Sequence, residues 1–262
     1  MKTKTLSLLA ALLLSSMFLA SCGSNGYVEN ADCDLNMKMI YVEGGSFQMG
    51  GTAEQGKDAE RNERPVHKVT LDSYYIAECE VTQAQWQKIM GNNPAHFKGA
   101  NNPVECVGWK KVEEFCVKLS RMTGKTYILP TEAQWEYAAR GGQKSQGYKY
   151  SGGSIADEVA WTSDNGGRKT HAVKQKKPNE LGLYDMSGNV FEFCSDWFRD
   201  DYYASSPELN PTGPSSSRFR IMRGGCWGVP PLQARVSCRW GISTRYCDSF
   251  AGFRVVCIPD KK

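Results

Sequence analysis

Several signatures that would settle a function are missing from this chain. It has no Cys-x-x-Cys, so zinc-ribbon and dithiol-redox chemistry lack their usual mark. It has no block of lysine or arginine, and its net charge of +4 is spread over mixed charges, which argues against nucleic acid as a partner. Histidine is scarce: His67, His96 and His171 are the only three, scattered on strand or loop. No Ser-His-Asp arrangement has a local signature. The adjacent carboxylates Glu113 and Glu114 lie on an exposed helix face and read as solvated charges. There is no internal repeat and no low-complexity tract. The apolar run from Leu6 to Ala20 is short for a membrane span.

That run is informative in another way. Lys2 and Lys4 precede it, and it ends in Leu19-Ala20-Ser21-Cys22. A charged start, an apolar middle and a small-residue end make an export signal. The last four residues resemble a bacterial lipoprotein box. The expectation is a signal peptide over 1–21, lipid on the sulfur of Cys22, a polar tether over 22–37, and one domain over 38–260. The implied location is the bacterial cell envelope, lipid-anchored on the periplasmic face or the cell surface. About 240 residues remain, enough for one large domain with a well-buried core. The chain has ten cysteines, and lipidation of Cys22 leaves an odd number, so at least one thiol stays unpaired.

Periodicity predicts an α+β domain with much irregular surface. Residues 39–50 alternate around Gly44-Gly45 and read as a hairpin. Residues 66–75 alternate like a half-buried strand. Thr82 with Gln85 makes a capping box for a first helix. Trp109 to Met122 is a second, with Val112, Phe115, Cys116 and Leu119 on its buried stripe and Gly124 as its stop. Thr131 caps a short third helix whose Trp135 and Ala138 face the core. Residues 142–179 are polar and glycine-rich, a segment that holds shape by packing on itself or by binding an ion. The final stretch, Arg223 to Val256, has apolar ends and an aperiodic middle that reads as surface loop.

Taken together, EGGSFQMG, ECEVTQAQWQKIMG, NNPVECVGW, LPTEAQWEYAARGG, PNELGLYDMSGNVFEF, RGGCW and GFRVV resemble, in order, the formylglycine-generating enzyme or sulfatase-modifying-factor family. The resemblance spans about residues 39 to 258 and implies a loop-rich, C-type-lectin-like α+β domain with two main helices and antiparallel sheet. It implies the oxidase activity only if the reacting groups are present. The family's oxidase holds Cu(I) on two cysteines of the final loop, as soft thiolates do. The matching positions here are Val229 and Ala234, which can neither bind copper nor exchange a thiol. Cys226 and Cys238 are near but out of register. Copper is therefore not expected. The three histidines also fail to make the cluster of the related iron-dependent sulfoxide synthases.

The family also carries calcium on a Gly-Asn turn, and the matching positions are Asp185, Gly188, Val190 and Glu192. Two carboxylates and two carbonyls there are hard oxygen ligands suited to Ca²⁺. The family's second calcium site falls on Ala160 and Lys174 and is lost.

Within the final loop, Arg223-Gly224-Gly225, Arg235-Val236-Ser237, Arg239, Arg245 and Gly252-Phe253-Arg254 make a scaffold, with the arginines expected to pin the loop by forked hydrogen bonds. The intervening residues are 228–232, Cys238, 241–244 and 246–251. All of these can be reached from the codon AAC by replacing its adenines, whereas Gln233 and Trp240 cannot. The pattern resembles the variable regions of retroelement-diversified lipoproteins built on this family. It implies a binding face including Trp227, Val229, Leu232, Trp240, Tyr246, Asp248 and Phe250, aimed at a protein or glycan at the envelope. The competing expectations are a formylglycine-generating oxidase acting on a sulfatase cysteine and a structural envelope lipoprotein.

Overall fold

The computed structural model describes residues 26–31 and 33–259. Cys22 and the expected signal segment lie outside them. Among the described residues no helix is long and apolar enough to cross a membrane.

Ordered packing starts earlier than the composition suggested. Strand β1 (Tyr27–Glu29) pairs antiparallel with β2 (Met37–Val42), and Ala31, Leu35 and Met37 are buried. The expected tether over 22–37 is therefore corrected from residue 27 onward. Its polar character hides a few apolar anchors and the carboxylate of Glu29, which accepts from Tyr127 Oη at 2.8 Å and Lys125 Nζ at 2.5 Å.

The expected hairpin over 39–50 is overturned. β2 does not pair with β3 (Gly45–Met49); β3 pairs with β4 (His67–Leu71), and β2 with β5 (Tyr74–Ala77). One register runs through both pairs: Met39 faces Ala77, Val42 faces Tyr74, Gly45 faces Leu71 and Met49 faces His67. A single antiparallel ladder is thus bent at 43–44 and 72–73, and its halves join different sheets. The Gly44 amide closes the corner by donating to Ser73 Oγ at 2.9 Å. A β-carbon on Gly44 would lie 2.5 Å from the Leu71 carbonyl oxygen, so only glycine fits. The same corner splits the expected strand 66–75 in two.

Helices α1 (Gln83–Met90), α2 (Trp109–Thr123) and α3 (Glu132–Ala139) fall where their caps predict, with β6 (Thr126–Ile128) between the last two. α1 and α3 open with full capping boxes, Thr82 with Gln85 and Thr131 with Gln134, each worth about 1 kcal/mol. α1 and α2 meet through Trp86 stacked on Phe115 at 5.6 Å, with the edge of Phe253 against both rings. α3 is buried nearly all round, so its two glutamates, Glu132 and Glu136, need internal partners.

The remaining strands are β7 (Phe191–Trp197), β8 (Phe219–Arg223), β9 (Arg239–Ser243), β10 (Ala251–Gly252) and β11 (Val256–Ile258). A five-stranded sheet runs β1-β2-β5-β11-β6, and a four-stranded sheet runs β10-β7-β8-β9. The last stretch is therefore more regular than its sequence: residues 239–243 form an edge strand, and 234–239 are buried. Residues 142–189 are mostly irregular and pack on themselves and on that stretch; Tyr150, Val159, Ala160 and Ala234 share a small apolar cluster.

Candidate functional site

Four buried arginine–glutamate pairs fix the frame of the final stretch. Arg235 forks onto Glu63 at 2.6 and 3.0 Å, Arg239 onto Glu132 at 2.6 and 2.8 Å, and Arg254 onto Glu192 at 2.7 Å twice. Arg223 pairs with Glu136 and also donates to the carbonyls of Val236 at 3.0 Å and of Ser237 and Cys238 at 2.8 Å each. One guanidinium thus holds three consecutive peptides of the loop against α3. Burial alone would raise the Glu63 and Glu132 carboxyls; Arg235 with Ser237, and Arg239 with Arg223, bring both below the usual carboxylate range instead. The expected pinning fails for Arg245, which is exposed and contributes only its amide, donating to Ser243 Oγ at 3.3 Å.

Between these pins the predicted contact residues take different places. Trp227 stacks on Phe250 at 4.6 Å, receives the edge of Phe97 at 5.5 Å, and donates from Nε1 to the Ser249 carbonyl at 3.0 Å. These rings join three distant segments into one aromatic step. Val229 and Tyr246 are half-buried against the core. Leu232 and Trp240 are exposed, at 45% and 38%, and Trp240 lies edge-on to Phe191 at 5.9 Å. Asp248 closes its own turn: Oδ1 accepts from the Ser249 amide at 2.5 Å, and its carbonyl accepts from the Cys106 amide at 3.1 Å. Two intervening positions cannot face a ligand, since Cys238 and Ala251 are buried.

Val229 and Ala234, which the resemblance matches to the oxidase cysteines, are built into apolar packing. Ala234 is fully buried, and Val229 packs against the main core. Cys226 sits in that core, while Cys238 lies beside the Arg235–Glu63 pair. Burial pushes both thiols up, to about 12 and about 11.

The Gly-Asn turn is compact. Asp185, Gly188 and Asn189 all have positive φ, and a β-carbon on Gly188 would lie 2.3 Å from the Trp161 carbonyl oxygen. Asp185 Oδ2 accepts the Lys174 amide at 2.7 Å. Glu192 is well occupied, since Trp135 Nε1 at 2.8 Å joins Arg254 on it. Sequence reasoning missed Glu80. It is fully buried, both its oxygens lack a partner, and burial together with Asp185 and Glu192 raises its pKa well above the usual range. Burial likewise pushes Asp185 up to about 6. The available signal was a glutamate at the buried junction before the α1 cap. Three carboxylates here share one guanidinium, Arg254, and the Glu80 oxygens have no protein partner. Among the described residues no three His, Cys, Asp or Glu side chains converge on a metal by themselves, so the carbonyls of Gly188 and Val190 would have to complete a calcium set. The residues fit the ion on those terms. At the second family position, Lys174 pairs with Glu78 at 3.0 Å and Ala160 is buried.

A loop-rich, lectin-like frame of mainly antiparallel sheets, with its last loop strapped down by arginines, defines a class. The sulfatase-modifying factor enzyme 1-like domain matches residues 25–258, and the chain belongs to that family. It is 34% identical to Chaperone protein LppX of Paenibacillus barcinonensis over 84% of this chain and 87% of that one. It is 30% identical to the formylglycine-generating enzyme of Streptomyces coelicolor over 72% of this chain and 78% of the enzyme. Among solved structures, Treponema denticola variable protein 1 superposes with a TM-score of 0.79 at 33% identity, covering 87% of this chain and 97% of that one.

Proposed function

We propose that this is a non-catalytic, lipid-anchored envelope protein that binds a protein or glycan through its final loop. The observation that carries the reading is the filling of the oxidase positions: Ala234 and Val229 are apolar and packed, leaving no thiolate pair to hold Cu(I). Cys226 and Cys238 do not substitute, because each is buried in a different environment and held protonated. Likeness to a protein named for its variability supports diversification of the loop. The box ending at Cys22 supports the anchor. Calcium would be held by Asp185, Glu80 and the carbonyls of Gly188 and Val190, beside Glu192, whose oxygens are taken by Arg254 and Trp135.

The decisive experiment loads the protein with Cu(I) and supplies O₂ and a cysteine peptide of sulfatase type. No aldehyde is expected; aldehyde formation would establish the oxidase instead. Palmitate labelling that disappears in Cys22→Ser tests the anchor.

A further inference from the structure

Beside the aromatic step lies a cleft of about 490 Å³ between the loop after α1 and the segment around residue 170. Its basic lining is Lys98, Lys169, His96 and His171, and no carboxylate lines it. Of the described lysines eight are paired with an acid and seven are not, and Lys98 and Lys169 are two of the seven. Lys38, Lys68, Lys111, Lys118, Lys125, Lys149, Lys174 and Lys177 are each paired with an acid. Among the described residues neither Lys98 nor Lys169 has a carboxylate partner; Lys98 Nζ donates only to the Asn93 carbonyl, at 2.9 Å. The two imidazoles, scattered in sequence, both line this cleft. His171 is held against Trp161 at 3.8 Å and bonds Gly166 O at 2.8 Å.

We propose that this cleft, together with the Phe97–Trp227–Phe250 step, takes an acidic saccharide, its carboxylate or sulfate lying between Lys98 and Lys169. The inference deepens the binding reading and rests on it. Unpaired ammonium groups in a cleft without acids attract an anion, and the attraction is not offset by a neighbour that must first be displaced. Asn102, Thr170 and Gln175 also line the cleft and offer both donors and acceptors, as sugar hydroxyls require. Phe97 belongs to both features: it lines the cleft and contacts Trp227 at 5.5 Å, so the half-buried aromatic cluster adjoins the anion cleft and offers an apolar edge to a pyranose. An acidic peptide would use the lysines but would leave the mixed amide and hydroxyl lining and the flat rings without matched partners.

The test is calorimetry on the whole protein with four probes: an oligogalacturonate, a sulfated galactan hexasaccharide that carries no carboxylate, a neutral maltohexaose and hexaglutamate. One of the two acidic saccharides should bind at least tenfold more tightly than the neutral sugar and the peptide, and which one does so identifies carboxylate or sulfate as the anion. Lys98→Gln with Lys169→Gln should weaken that binding tenfold or more without moving the thermal midpoint, and Trp227→Ala should weaken it independently. Equal binding of neutral sugar, preferential binding of hexaglutamate, or no saccharide binding overturns the inference. If loop variants still alter capture of envelope extract in that case, the binding reading survives alone. If they do not, both fall.

Discussion

Arg254 closes on Glu192 with two hydrogen bonds of 2.7 Å, and both residues are fully buried. The same guanidinium donates to the carbonyls of Tyr184 at 2.8 Å and Ala77 at 3.1 Å, so one side chain ties β7, the Gly-Asn turn and β5 to the end of the loop. Removing either partner strands a buried charge. Arg254→Ala or Glu192→Ala should cost roughly 3–5 kcal/mol, and Arg254→Lys should not restore it, because an ammonium cannot fork. Arg254→Met with Glu192→Leu should cost less than the sum of the single changes. Urea unfolding at neutral pH measures all of these; a loss under about 1 kcal/mol for Arg254→Ala would show the pair to be idle.

Acidity should act through a few buried carboxyls. Burial and then Glu132 push Asp196 up to about 7, and burial pushes Asp185 up to about 6. The unfolded chain ionises both near pH 4. Between these values the native state holds protons that the unfolded chain has released, so stability falls as pH rises through that window. Glu63 and Glu132 act in the opposite sense: their lowered native values give stability that is present at neutral pH and lost as pH falls below about 4.5. The expected maximum therefore lies on the mildly acidic side, and Asp196→Asn should flatten the decline toward pH 7. Urea midpoints between pH 4 and 8, taken in chelator, check this; an unchanged slope in the variant would remove Asp196 from the account.

Calcium should reverse part of that decline, because it would compensate Glu80 and Asp185 in their ionised forms. At a hundredfold excess over its dissociation constant it should add about 2.7 kcal/mol, seen as a higher thermal midpoint that chelator abolishes. Glu80→Gln, which removes the cost of keeping a buried, unpartnered carboxyl protonated at neutral pH, should raise the stability of the calcium-free protein and weaken the calcium response. A midpoint indifferent to calcium in the wild type would mean that the turn stands on Arg254 and the Lys174 amide alone.

The helices were legible because their caps are local: Thr82, Gly124 and Thr131 act on neighbours within four residues. The ladder of β2–β5 and β3–β4 was not, since alternation gives the faces of a strand but not its partner, and the corner at Gly44 depends on a contact with Ser73. The arginine frame was half legible. The arginines were visible as a repeated element, but their partners Glu63, Glu132 and Glu136 come from segments 87 or more residues away. Glu80 and the shared cleft of His96 and His171 escaped for the same reason: side chains remote in sequence are brought together only by the finished fold.

Burial divides the proposed variable positions into two kinds, and this gives the last prediction. Leu232 and Trp240 are exposed, so Leu232→Ser and Trp240→Ser should change stability by less than about 1 kcal/mol while changing ligand capture. Cys238 and Ala251 are buried, the first beside the Arg235–Glu63 pair and the second paired with Phe191 in the sheet. Ala251→Asp would place an unpaired carboxylate there and should cost more than about 3 kcal/mol, as should Cys238→Arg. A library diversified at all the intervening codons, sorted for folded protein on the cell surface, should therefore keep small apolar residues at 238 and 251, glycine at 228 and 241 and apolar residues at 229 and 242, and accept nearly any residue at 230–232 and 243–244. Free variation at 251 among folded members would mean that the loop is anchored differently and that its exposed rings are not the face presented to the ligand.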